Sequence, residues 1–221
     1  NKILFQEGIE KGRLKSIFAI ANEKKIICQE VPKRKLDNST TERHQGVIAY
    51  VAPYAYFELD EVVNNLEINK DTTLLILDHI EDPHNLGAII RTAEASGVKA
   101  IIIPKRRAAV VSQTAVKASA GAIEHMPVIR VSNLTDAIKK LKEKGFWIAG
   151  TTLAERSEDY TKIAKDVPLA IVIGNEGEGM SKVVTNECDF LYHLPMLGKI
   201  QSLNASVAAG IIMYERIKSN D

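Results

Sequence analysis

LLILDHIEDPHNLGAIIRTAEASGVKAIIIP, residues 74–104, decides the fold. It opens on LLILD (74–78), an unbroken apolar run of strand length. A strand without polar alternation is covered on both faces, as strands of parallel sheets are. Asn85 to Ser96 then reads as a helix, with Pro83 before it and Gly97 after it. KAIIIP (99–104) is a second buried strand. Strand, helix and strand in that order make the repeating unit of an α/β layer.

The same alternation runs on toward the C-terminus. Ala108 to Ala120 reads as helix and MPVIRV (126–131) as strand. SNLTDAIKKLKEKG (132–145) reads as a helix with Ser132 as its cap, Asp136 in the first turn and Gly145 as its stop. FWIAGTT (146–152), LAIVIG (169–174) and DFLYHLP (189–195) are three more strands, and Ser202 to Lys218 is a long amphipathic helix. The expected architecture is α/β, a parallel sheet with helices on both faces.

Before residue 70 the pattern is shorter and mixed. Residues 3–14 read as a helix, with Ile3, Leu4 and Leu14 on one face. SIFAIA (16–21), KIICQEV (25–31) and GVIAYVA (46–52) read as strands by β-branched content, and LDEVVNNLEINKDT (59–72) as a short helix entering a polar linker. The expected division is a first domain over 1–65, a linker over 66–72 and a second domain over 73–221.

Composition bounds the function classes. The chain has 221 residues, 45% hydrophobic and 26% charged, with a mean hydropathy of −0.08. That excludes a disordered chain, and no apolar run approaches the ~18 residues of a membrane span. With 29 Lys and Arg against 28 Asp and Glu, net charge neither supports nor excludes nucleic-acid binding. Two local basic clusters stand out, Lys33-Arg34-Lys35 and Lys105-Arg106-Arg107, and read first as solvated loops. Cys28 and Cys188 lie far apart with no metal spacing, which suggests a reducing, cytoplasmic setting. NKILFQEGIEKGRL at the start is too charged for a signal peptide, so the three sequons at Asn38, Asn133 and Asn204 read as chance. The chain begins without Met, and residues ahead of Asn1 are expected to be missing.

Open α/β sheets bind ligands at the carboxyl ends of their strands. The loops there are His79–Gly87, Asn175–Met180 and Met196–Asn204. GNEGEG (174–179) has the wrong glycine spacing and a late position for a dinucleotide fingerprint. GFWIAGTT (145–152) resembles a phosphate loop that lacks its Lys. DHIEDPH (78–84) gathers His79, Glu81, Asp82 and His84, but Pro83 breaks the helical spacing a metal site would use, and no metal is expected. No G-x-S-x-G elbow supplies a hydrolase nucleophile.

Read together and in order, NLGAIIRT (85–92), VIGNEGEGM (172–180) and LPMLGKIQSLNASVA (194–208) resemble the three motifs of the SpoU family of RNA ribose 2'-O-methyltransferases, within the SPOUT superfamily. The likeness spans residues 72–221. HQGV (44–47) followed by AYVAPY (49–54) resembles the end of the substrate-binding domain of the 23S rRNA guanosine branch, an α+β domain of L30e type. In that domain the family has a helix between two strands. With SIFAIAN and IICQEV taken as those strands, only Glu23-Lys24-Lys25 separates them, a departure from the pattern.

The resemblance implies a C-terminal trefoil knot and S-adenosylmethionine as cofactor. It places cofactor contacts at Gly174, Leu194 and Leu203, with Asn175 and Met196 beside them. It places catalysis at Arg91, Asn85, Glu176, Ser202 and Asn204. Arg91 matches the family's catalytic arginine; an ordinary guanidinium stays protonated, so either an unusual environment makes it a base or, as expected here, it positions the neighbouring phosphate and stabilises the developing alkoxide. Glu176 is expected to orient Arg91 or hold its loop. Asn85 is expected either to cap its helix or to hold the motif loops. Ser202 and Asn204 are expected at the N-terminus of the last helix, facing an RNA phosphate. RNA is the implied partner, rRNA ahead of tRNA, with a homodimer through the knot region and last helix. A catalytically silent RNA-binding protein and a nicotinamide-dependent oxidoreductase are the competing readings.

Overall fold

A computed structural model describes residues 1–9 and 11–218. The chain divides into two units, Asn1–Tyr54 and Ala55 onward. No helix among the described residues is long and apolar enough to cross a membrane.

The first unit carries β1 (Lys2–Gln6), a 3-10 turn (Lys11–Leu14), α1 (Lys15–Glu23), β2 (Ile27–Val31), α2 (Lys33–Asp37) and β3 (Val47–Tyr50). β1 is central, parallel to β2 and antiparallel to β3. Ile3, Leu4 and Phe5 are therefore all buried. On one face Phe5 stacks on Phe18 of α1 at 4.1 Å. On the other, Leu4 packs with Val31 and Leu36.

This corrects two expectations, the helix over 3–14 and the strand over 16–21. Ile17, Phe18 and Ala21 recur at helical spacing and pack with Ile3 and Phe5. Packing on the sheet overrides the strand preference of Ile17 and Phe18. α1 lies between β1 and β2, so the helix that the resemblance implies between two strands is present. Glu10, within the expected helix, lies outside the described residues, as do residues 219–221 of the expected second domain. Lys33-Arg34-Lys35 opens α2 rather than a loop, and Lys33 Nζ meets Asp37 at 3.0 Å. The His44 hydrogen bond, then Lys33, holds the Asp37 carboxyl below its usual range.

The second unit runs α3 (Leu59–Asn64), β4 (Thr73–Leu77), α4 (Pro83–Ala95), β5 (Ile101–Pro104), α5 (Gln113–Ala118), β6 (Val128–Val131), α6 (Leu134–Glu143), β7 (Trp147–Thr151), β8 (Glu158–Asp159), β9 (Leu169–Ile173), α7 (Lys182–Glu187), β10 (Phe190–His193) and α8 (Ala205–Ile217). Its strands pair in the order β6-β5-β4-β9-β7-β10-β8, and every pairing is parallel. Leu74, Ile76, Ile102, Ile148 and Val172 face one core with Leu59 and Val63 of α3, Ile138 and Leu141 of α6 and Val184 of α7. The alternate residues Leu75, Leu77, Ile101, Ile103, Ile171 and Ile173 are buried on the opposite face, where α4 packs with α5 and α8, and α8 with β9.

Because Leu59 and Val63 belong to this core, residues 55–65 sit with the second unit, not with the first domain expected over 1–65. Several ends shift too. α4 starts at Pro83, with Asp82 Oδ1 accepting from the His84 N–H at 2.8 Å. Asn133, not Ser132, caps α6 through the Thr135 N–H. Residues 108–112 are not helical, and Ser112 caps the shorter α5. α8 begins at Ala205, leaving Ser202 in the preceding loop. β8 and α7 had no counterpart in the sequence reading.

Candidate active site

The strand order sets the site. The chain moves outward from β4 to β5 and β6, then places β9 on the other side of β4. The β4/β9 boundary is where the winding reverses, and such reversals open a crevice beyond the carboxyl ends of the strands. The loops after β4 and β9 meet there.

The β9 loop is a tight hairpin. Asn175 and Gly179 exchange backbone hydrogen bonds at 3.0 and 2.9 Å. Gly179 has φ +70°, a region glycine enters without cost. Gly174 lies so close beneath that an added Cβ would come within 2.4 Å of Gly179 C and Met180 N. The Asn175 amide reaches back across the crevice and donates to the His79 carbonyl at 3.0 Å. His79 holds that carbonyl with φ +62°. Its ring pairs with buried Asp78 at 2.9 Å, and the other Asp78 oxygen accepts from the Ser181 N–H at 2.7 Å. Asp78 thus ties the first motif loop to the N-terminus of α7. The sequence reading missed it as a site residue, although its place at the end of a buried strand was the available signal.

Glu176 projects from this hairpin into a three-residue cluster. Its Oε1 accepts from Asn85 Nδ2 at 2.9 Å, from Asn204 Nδ2 at 2.7 Å and from the Ala205 N–H at 2.9 Å. Asn204 is the N-cap of α8. Its Oδ1 accepts from the Ser206 and Val207 N–H groups at 3.0 and 3.3 Å, and its amide also donates to Asn85 Oδ1 at 2.8 Å. A carboxylate against the first N–H of a helix is favoured by the helix dipole. Asn85, third in α4, does not cap its helix; it holds the motif loops together.

Arg91 stands apart. Six residues after Asn85, it lies about 9 Å further along the helix and about 120° round it. It is exposed and, among the described residues, makes no hydrogen bond or ion pair. Of the two roles expected of Glu176, the contacts to Asn85, Asn204 and Ala205 are those of a residue that holds its loop, and among the described residues it makes no contact with Arg91.

Beside the cluster is a cavity of about 440 Å3 beyond the ends of β7, β9 and β10. Gly174, Asn175, Leu194, Met196 and Leu203, the expected cofactor residues, all line it, as do Glu176 and Ser202. Thr151, Thr152, Tyr192, His193 and Gln201 line it unforeseen. The volume suits a small organic ligand. Glu176 and Glu178 are among its lining residues, and no Lys or Arg occurs among the described ones. That charge suits a cation and disfavours a pyrophosphate, against the nicotinamide reading. Among the described residues no cluster of three or more His, Cys, Asp or Glu could hold a metal.

Comparisons with known proteins identify the family. The family model described as the SpoU rRNA methylase family matches residues 72–214. The model for RNA 2'-O ribose methyltransferase substrate binding matches residues 1–57. A relative in Staphylococcus saprophyticus, assigned to the TrmH family of tRNA/rRNA methyltransferases, is 54% identical over 216 residues, covering 97% of this chain and 86% of its own. One in Staphylococcus haemolyticus, similarly assigned, is 53% identical over the same shares. Among solved structures, the AdoMet-bound rRNA methyltransferase of Sinorhizobium meliloti superposes with a TM-score of 0.81 at 26% identity, covering 98% of this chain and 78% of that one. The SpoU methyltransferase AviRb of Streptomyces viridochromogenes, in complex with AdoMet, gives 0.79 at 25% identity, covering 98% and 81%.

Proposed function

Since the chain belongs to the SpoU family and is an S-adenosylmethionine-dependent RNA methyltransferase, we propose that it methylates a ribose 2'-hydroxyl, and that its target is a guanosine of 23S rRNA. The observation that carries this reading is the cavity lined by Glu176 and Glu178, with no Lys or Arg among its described lining residues, opening beside the Asn85–Glu176–Asn204 cluster.

S-adenosylmethionine supplies an electrophilic methyl group on a sulfonium cation. Glu176 and Glu178 attract that charge, while Leu194 and Leu203 offer apolar walls to an adenine. A ribose hydroxyl must shed its proton as its oxygen takes the methyl group. Arg91 is exposed, has no partner among the described residues and is available to the substrate, where a planar cation steadies the developing oxyanion or the adjacent phosphate. Asn85, Glu176 and Asn204 keep the two motif loops and α8 in register. Ser202, at the cavity rim, meets the ligand rather than a helix dipole.

We also infer a trefoil knot in the C-terminal part of the second unit, as in the family. We also read the chain as a homodimer through α8 and the loop before it. Val207 and Tyr214 of α8 are exposed by half, and Leu197 is 97% exposed. Residues 1–57, which match the substrate-binding model, supply RNA selection. The free cysteines fit a reducing, cytoplasmic compartment.

The test is transfer of labelled methyl from S-adenosylmethionine to purified 23S rRNA and to tRNA, followed by nucleoside mapping. The expected product is 2'-O-methylguanosine in 23S rRNA. Label only in tRNA changes the target and keeps the reaction. Cofactor binding without transfer to either RNA supports the silent-binder reading instead.

A further inference from the structure

Residues 95–123 hold Lys99, Lys105, Arg106, Arg107 and Lys117 and no Asp or Glu. Three of these cations, Lys105 to Arg107, sit in the loop at the carboxyl end of β5, next to β4 in the sheet. The loop is therefore on the same edge as the cavity, on the opposite side of the β4/β9 boundary.

The loop is held in place from three sides. The Lys105 N–H donates to the Val131 carbonyl at 2.8 Å, and the Ala109 N–H to the Ile80 carbonyl at 2.7 Å. Arg130 Nη2 donates to the Lys105 carbonyl at 3.2 Å. The Arg130 guanidinium lies 5.0 Å over the Tyr56 ring. The Tyr56 hydroxyl in turn accepts from the Val111 N–H at 2.9 Å. Arg130 is thus spent on structure, while Lys105, Arg106 and Arg107 remain exposed. Arg107 takes φ +52°, a left-handed conformation at the end of the run.

The bond to Ile80 matters because Ile80 follows His79, whose carbonyl anchors Asn175 of the cavity hairpin. Gly87 adds a second tie. A Cβ there would come within 2.5 Å of the Ala115 carbonyl oxygen and of Ala118 Cβ, so α5 packs directly on the helix that bears Asn85 and Arg91. Charge divides along the edge. The loops after β7 and β9 carry Glu155, Glu176 and Glu178 with one cation, Arg156. The loop after β5 carries cations alone. Glu81 and Asp82 lie between, and Asp82 is engaged as a helix cap.

We propose that Lys105, Arg106 and Arg107, fixed by Tyr56, Arg130 and Ile80, grip the phosphates of the RNA strand beside the ribose that is methylated. This rests on the RNA-methyltransferase reading. The strand crosses the β5 half of the edge, where charge favours it, and presents its ribose toward the cavity on the β9 half.

The test uses the full chain and a labelled single-stranded RNA of about 20 nucleotides. Binding is measured against salt for wild type, for Lys105→Gln/Arg106→Gln/Arg107→Gln, and for Lys139→Gln/Lys140→Gln/Lys144→Gln, exposed residues on and just after α6. Each phosphate contact on a single strand contributes about 0.7 to the slope of log K against log salt. The loop variant should lose up to about 2 from the slope, with cofactor binding unchanged, and the α6 variant should lose none. An unchanged slope in the loop variant, or equal losses in both, overturns the proposal. Tyr56→Phe, which removes the Val111 acceptor, should raise KM for RNA several-fold and leave kcat unchanged; a fall in kcat alone counts against it. Absence of methyl transfer by wild type would instead reject the enzymatic reading, whatever the slopes show.

Discussion

Asn204 Nδ2 meets Glu176 Oε1 at 2.7 Å, joining the cap of α8 to the hairpin after β9. The same amide caps nothing itself; its oxygen does that, through the Ser206 and Val207 N–H groups. One side chain therefore fixes both where α8 begins and where Glu176 stands.

Asn204→Ala should cost about 1–2 kcal/mol of stability through loss of the cap, read as a lower urea midpoint. Asn204→Asp keeps the cap but sets two carboxylates together. It should be less stable than Asn204→Ala at neutral pH and recover on acidification. A urea midpoint for Asn204→Asp equal to wild type at neutral pH would show that the contact to Glu176 is dispensable.

Arg91→Ala should leave stability within about 0.5 kcal/mol of wild type, as expected of an exposed residue without a partner among the described residues. Cofactor affinity should hold, and single-turnover methyl transfer should disappear. Arg91→Lys should also be poor, since a point charge does not reproduce a planar fork. Near wild-type transfer by either variant removes Arg91 from the catalytic machinery.

Gly174→Ala has no space to form without moving the hairpin, because the new Cβ would lie 2.4 Å from Gly179 C. Overpacking of this kind costs about 1–3 kcal/mol. Calorimetry should show S-adenosylmethionine binding weakened at least tenfold, with α4 and the basic loop unaffected. Unchanged affinity would place the cofactor elsewhere.

Cys188 should resist alkylation in the folded protein, while exposed Cys28 reacts. Burial first, then the neighbouring Asp189 charge, raises the Cys188 thiol from 9.0 to about 12. Above pH 9 the unfolded thiol loses its proton and the folded one keeps it. Its contribution is therefore present below pH 9 and is lost as pH rises from 9 toward 12. Chemical denaturation across that range should show falling stability, with a shallower fall in Cys188→Ala. Equal labelling of both cysteines under native conditions contradicts this account.

Local sequence settled most of the second unit. LLILD, KAIIIP and LAIVIG could only be strands covered on both faces, and all are buried in a parallel sheet. Pro83 and Gly97 bounded α4 to within a few residues. The five expected cofactor residues share one cavity, because each lies in a loop leaving the same end of the sheet. The first unit was less legible. Ile3-Leu4-Phe5 and Ile17-Phe18 are short apolar runs that fit strand or helix alone, and only their mutual packing assigns them.

The contacts of Glu176 needed the tertiary structure. Its partners lie 91 and 28 residues away, and no local period encodes which strands become neighbours. The placement of β9 against β4 brings Asn85, Glu176 and Asn204 together and leaves Arg91 on another face of α4. Sequence fixes each element by the spacing of its own side chains. Strand order, decided by burial of the whole sheet, fixes which loops can touch.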